Sequence, residues 1–127
     1  AAAGCSERVR FLPYVDRSEL VALYAGADLA VYPSLVEGWG FPVVEALVLG
    51  TPVATSCTSA MPEAGGEHAF YFDPNSTESI AHTLLDALDR RGQWEQTKPA
   101  AIARAREFTW ERTAIATLQC YRDAVGR

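Results

Sequence analysis

The sequence predicts an α/β fold: a Rossmann-like three-layer half-domain with a mainly parallel sheet of about four strands and C-terminal helices. Three observations carry that expectation. Short apolar runs alternate with helical patterns, the mark of βαβ units with parallel strands. The run at residues 29–32 ends at Pro33, passes through a glycine-bearing loop and enters a helix with Pro42 in its first turn. Beyond Gly92 the pattern is helical only.

In order along the chain, residues 9–12 are apolar and read as the first strand, with Pro13 and Tyr14 in the loop after it. Asp16 is a helix N-cap with Glu19 three residues on, a capping-box pair. Leu20, Leu23 and Tyr24 give that helix an apolar face, and Gly26 ends it. Residues 29–32 are the second strand. The helix opened by Pro42 runs through Leu49 and stops at Gly50. Residues 52–55 are the third strand, and 57–60 a loop. Residues 61–64 make one helical turn closed by Gly65 and Gly66, and 69–72 form a fourth, short strand. Ser76 caps a helix with apolar face Ile80, Leu84, Ala87 and Leu88, and Gly92 ends it. Pro99 begins or kinks a helix running to about Phe108. Thr109 caps the last helix, with Glu111 in its first turn and an apolar stripe of Ile115, Leu118, Tyr121 and Val125.

The 127 residues are one domain's worth, 49% hydrophobic and 21% charged, an ordinary globular composition. A net charge of -5 argues against a nucleic-acid partner, which a basic patch would betray. No stretch is long and apolar enough to span a bilayer. The first five residues lack the basic start and apolar core of a signal peptide. Cys5, Cys57 and Cys120 are odd in number and far apart, neither a zinc pattern nor a disulfide framework. They read as reduced thiols of a cytoplasmic protein.

The loop between the second strand and its helix offers chemistry. Amides of Gly40, Phe41 and Val43 at the helix start suit a phosphate or sugar oxygen. Gly38 and Gly40 let a ligand approach the backbone. Glu37 sits at the loop mouth, and Glu45 about one turn into the helix. Two carboxylates beside a phosphate cradle make sense when the ligand also carries hydroxyl groups that donate to them. A sugar on a nucleoside diphosphate has both.

Glu37 and Glu45, with Gly38, Trp39, Gly40, Phe41 and Pro42 between them, resemble the Glu-x7-Glu signature of retaining glycosyltransferases of the GT-B fold, the GT4 family. Ala27, Asp28 and Tyr32, Pro33, Ser34 before it agree. So do Gly50, Thr51 and Pro52 after it, Met61, Pro62, Glu63, then Phe72, Asp73, Pro74. Phe108, Thr109 and Trp110 resemble the Phe-Ser-Trp motif that opens the family's C-terminal helix. The resemblance covers roughly residues 9–121.

It implies that residues 1–127 are part of a nucleotide-sugar-binding domain, with a C-terminal helical segment at 93–127. The donor would be UDP- or GDP-linked, and the sugar would pass to an acceptor hydroxyl. By the same resemblance, Glu37 is the catalytic candidate, close to the reacting carbon. It is not assigned as a nucleophile, since such transfer is usually drawn with the leaving phosphate assisting. Glu45 would accept from the ribose hydroxyls. Gly38, Trp39, Gly40, Phe41 and Val43 would surround sugar and diphosphate. Tyr14 has two readings, a contact to the nucleobase or a packed turn aromatic. Trp39 would wall the sugar pocket. Pro62 and Glu63 either shape the site wall or start a helix; His68 and His82 read as structural. Residues 57–60 depart from the Gly-Gly pair that many relatives carry there. The family needs no metal or other cofactor.

The family's basic Arg–Lys pair and its N-terminal acceptor domain match no segment here. The expectation is a chain inactive alone, completed by that domain or by a second chain. A non-catalytic nucleotide-sugar binder and a fold surviving without ligand are the rival readings. In a doubly wound order, the first two strands here would not be neighbours. Either residues 9–12 slide in beside 29–32, or that edge stays bare and favours a homo-oligomer.

Overall fold

The computed structural model describes residues 4–126. Three parallel strands form one sheet in the order β1 (Ala30–Tyr32), β2 (Val53–Ser56), β3 (Ala69–Phe72). Ala30 pairs with Val53, and Val53 with Ala69. Six helices surround it: α1 (Arg17–Gly26), α2 (Phe41–Val48), α3 (Met61–Gly65), α4 (Thr77–Asp89), α5 (Arg91–Ala105) and α6 (Trp110–Val125). None of them is long and apolar enough to cross a membrane.

β2 is the centre. All four of its residues are buried, two of them polar. Thr55 Oγ1 donates to the Tyr32 carbonyl at 2.9 Å, and Ser56 Oγ to the Ser34 carbonyl at 2.5 Å. Those bonds make a polar strand tolerable inside. Val43, Ala46 and Leu47 of α2 pack with Val53, Met61, Trp94 and Ala101 into the main core. The α2 pattern of four buried residues in eight is that of a helix enclosed on most sides.

Residues 9–12 are not a strand. One 3-10 turn, Ser6–Arg8, leads through an extended Val9 into chain without regular structure, with Phe11 92% exposed. An extended run becomes a strand only when a ladder pairs it, and none of the three strands does so. The sheet therefore has three strands rather than four. β1 keeps a bare edge, with Val31 exposed. Beside it, Leu20, Leu23, Tyr24, Val31 and Pro42 line an open groove of about 340 Å³.

Two helix boundaries also differ from expectation. Gly92 does not end α4, which stops at Asp89; it lies in the first turn of α5, with Arg90 shared between the two helices. Of the two readings of Pro99, the helix start fails: it lies inside α5, which begins at Arg91 and ends at Ala105 rather than near Phe108. Trp94, Ala101 and Ala105 anchor both halves of α5 to the core, which outweighs the hydrogen bond lost at the proline. On α4, Leu88 faces out and Ala87 faces in.

The capping box on α1 is present. Asp16 Oδ1 accepts from the Glu19 amide and Glu19 Oε2 from the Asp16 amide, each at 2.9 Å. The Ser18 hydroxyl, at 2.7 Å, is the largest cause holding the Asp16 carboxyl below its ordinary value, with the Glu19 amide next. A carboxyl depressed in the folded chain adds stability above its unfolded pKa, lost as pH falls through the folded value. Protection of α1 amides from exchange should therefore drop below about pH 4, the ordinary carboxylate range. In Asp16→Ala that step should vanish. An acid step equal in both proteins would separate it from the cap.

Candidate donor-binding loop

The loop from β1 to α2 is stitched down by the segment after β2. Ser56 Oγ donates to the Ser34 carbonyl and Thr58 Oγ1 to the Leu35 carbonyl at 3.2 Å. Ser59 Oγ donates to the Glu37 carbonyl at 2.7 Å and accepts from the Glu37 amide at 3.1 Å. Ser59 has φ 58°, the one non-glycine residue with positive φ among those described. The loop is thus fixed by side chains far away in sequence.

Glu37 is half-buried. Its Oε1 accepts from the Tyr32 hydroxyl at 2.5 Å and the Ser34 hydroxyl at 3.1 Å. The Tyr32 bond to that carboxylate, followed by burial, holds the phenol above its ordinary range. Oε2 has no partner among the described residues. The sequence placed Tyr32 and Ser34 in a flanking motif and Ser59 in a loop, and gave none of them a role at the site. Ser34 could have been given one, three residues ahead of the glutamate and able to reach back to it. Ser59 could not, because only the folded β2–α3 turn brings it close.

Gly40 is the N-cap of α2 at φ 96°, ψ 45°. A Cβ there would stand 2.6 Å from Met61 Cε and 3.3 Å from Ala64 Cβ. Gly40 therefore serves the packing of α2 on α3 as well as the turn. At Gly38 a Cβ would meet nothing within 4 Å. The Gly40 and Phe41 amides find no acceptor among the described residues, and they lie at the positive end of α2. The Val43 amide is not free as expected: it donates to the Gly40 carbonyl at 3.0 Å. A tight first turn has consumed it.

The loop aromatics pack against the C-terminal helices. Trp39 is half-buried, its ring edge-on to Phe108 with centroids 4.9 Å apart. Phe41, 52% exposed, leans on Trp110 at 6.1 Å. Both rings line a cleft of about 800 Å³ with Arg104, Phe108 and Trp110. Both rings are engaged in helix packing, and Phe41 is the more exposed of the two. Glu45 is exposed on α2, near enough to Tyr24 that its charge, after burial, helps raise that phenol's pKa. Tyr14 is 93% exposed in chain without regular structure ahead of α1, and among the described residues no strand precedes it. Glu63 is exposed in the first turn of α3, where Pro62 lies at the helix start. The structure thus brings Glu37, Gly38, Gly40 and the Phe41 amide together on one loop.

A strand, a glycine turn and a helix start with two carboxylates can take an anion and hydroxyl groups together. Residues 1–106 match the family described as glycosyl transferases group 1. The chain belongs to that family. It is 35% identical over 114 residues to the O-antigen chain mannosyltransferase B of Escherichia coli, covering 90% of this chain and 30% of that protein. It is 36% identical over 130 residues to the D-inositol 3-phosphate glycosyltransferase of Mycolicibacterium smegmatis, covering 97% and 28%. The sucrose-phosphate synthase structure from Thermosynechococcus elongatus matches with a TM-score of 0.80 at 25% identity, over 94% of this chain and 31% of that one. The group 1 chain here thus spans roughly three-tenths of the length of the curated relatives it matches.

Proposed function

We propose that this chain is the donor-binding segment of a retaining glycosyltransferase, taking a UDP- or GDP-linked sugar at the β1–α2 loop. The observation that carries the reading is Glu37: a carboxylate with one oxygen fixed from behind and the other unpartnered, beside a helix start with two spare amides. The amides of Gly40 and Phe41 suit the diphosphate. Glu37 Oε2 suits a hydroxyl of the transferred sugar, and the exposed Glu45 the ribose hydroxyls. Gly38 supports this, since the fold itself leaves room for a side chain there. The two relatives are named for mannosyl and glycosyl transfer, which supports sugar transfer as the class. Acceptor binding and the basic groups for the leaving diphosphate are assigned to parts outside residues 1–127.

Titration calorimetry tests the site. UDP or GDP should bind weakly to this chain, and Glu45→Ala should weaken it about tenfold, the scale of a charged hydrogen bond. Equal heats for both proteins would remove Glu45 from the site.

A binding subunit completed by a second chain is the other reading, favoured by the bare β1 edge. No residue of α6 is buried, and Ile115, Leu118 and Tyr121 are exposed along it. An unpaired strand edge and an uncovered apolar stripe promote association. This chain alone is expected to sediment as a dimer or larger at micromolar concentration. A stable monomer of 13.8 kDa would sink that expectation.

A further inference from the structure

Glu37 is constrained at every polar atom but one. Its amide and carbonyl both bond to Ser59 Oγ, its Oε1 receives the Tyr32 and Ser34 hydroxyls, and Oε2 alone is unpartnered among the described residues. Tyr32 ends the buried side of the sheet, and its backbone carbonyl is itself held by Thr55. Ser59 accepts a left-handed backbone to reach Glu37, a conformation a serine adopts only at a cost. Neither contact adds to the hydrophobic core. Both fix where one carboxylate oxygen points.

We propose that Tyr32 and Ser59 are positioning residues that aim Glu37 Oε2 at the sugar of the bound donor. This rests on the donor reading above. The chemical logic is preorganisation: a carboxylate already oriented loses less freedom when a sugar hydroxyl donates to it. The phenol donates to Oε1 and stays protonated, so it supplies orientation and no proton. Ser59 sets the backbone from which the side chain springs. The clamp should therefore act on the sugar half of the ligand and leave the nucleoside diphosphate half alone.

Two measurements test this on the intact chain. The first reads the Tyr32 phenol by carbon-labelled tyrosine NMR. In Glu37→Gln its pKa should fall towards the ordinary tyrosine range, because the carboxylate that raises it is gone. An unchanged Tyr32 titration would overturn the contact.

The second compares GDP with GDP-mannose, and UDP with UDP-glucose, by calorimetry. Tyr32→Phe keeps the ring and removes the hydroxyl. Ser59→Gly removes the hydroxyl and suits φ 58°, so it folds where Ser59→Ala is strained. Each should weaken the nucleotide-sugar about tenfold, leaving the matching nucleotide within about twofold. Glu45→Ala should weaken both. If the unmodified chain binds but Tyr32→Phe and Ser59→Gly bind the nucleotide-sugar equally well, the positioning role is overturned and the donor reading stands. If these variants lose nucleotide and nucleotide-sugar alike, they only support the loop's fold, and the role is again overturned. If the unmodified chain binds neither ligand pair, the donor reading fails and the positioning role falls with it.

Discussion

Trp94→Ala should lower the unfolding free energy by about 3–5 kcal/mol, the usual cost of deleting a large buried aromatic. Trp94 is 5% exposed and belongs to the main core with Leu47 and Val53. Its Nε1 also donates to the Gly50 carbonyl at 3.1 Å, the point where α2 ends. The indole therefore joins α5 to the end of the helix that carries the site. Small domains have about 5–15 kcal/mol in total, so the loss should be visible as a large fall in the urea midpoint. Trp94→Phe separates the two parts. It keeps most of the apolar volume and leaves the Gly50 carbonyl unpaired, for about 1–3 kcal/mol. If Trp94→Ala unfolded at the urea midpoint of the unmodified chain, α5 could not be docked as described.

The second large effect is at Gly40. Gly40→Ala should cost about 2–5 kcal/mol. A residue with a Cβ in the left-handed region loses about 1–2 kcal/mol. Overpacking against Met61 Cε, 2.6 Å from where that Cβ would stand, adds about 1–3 kcal/mol. Gly38→Ala is the matched control: it meets nothing, and its melting temperature should stay near that of the unmodified chain. Equal melting temperatures for Gly38→Ala and Gly40→Ala would contradict the packing of α2 on α3.

These two positions show what the sequence could and could not disclose. Pro42 and Gly50 announced α2, because helix ends are local properties. The runs that became β1, β2 and β3 were legible for the same reason. Residues 9–12 look no different from those runs, but a strand needs a partner, and partnership is not local. The positions of the two carboxylates and two glycines of the candidate site, on the β1–α2 loop and the start of α2, were legible from spacing. What was not legible is what each atom is bonded to. Val43 lost its amide to the first helical turn, Trp39 turned to Phe108, and Ser59 crossed from another loop to hold Glu37. Tyr14 was placed by analogy with a strand that is not present, and it stands in solvent.

The sheet order has a kinetic side. Every pairing is parallel, Ala30 with Val53 and Val53 with Ala69, and each is bridged by a helix. A parallel pair cannot begin as a hairpin, so no rung of this ladder forms between residues close in sequence. The entropy of closing each crossover must be met before any strand contact offsets it. Until then β2, whose four residues end up wholly enclosed, is a segment with two unpaired edges. Refolding should therefore wait on the docking of α2 and α3 against it. The same interval is when two unfinished chains can capture one another. The yield of native protein on dilution from urea should fall as chain concentration rises, through competition for β2 before its own neighbours arrive.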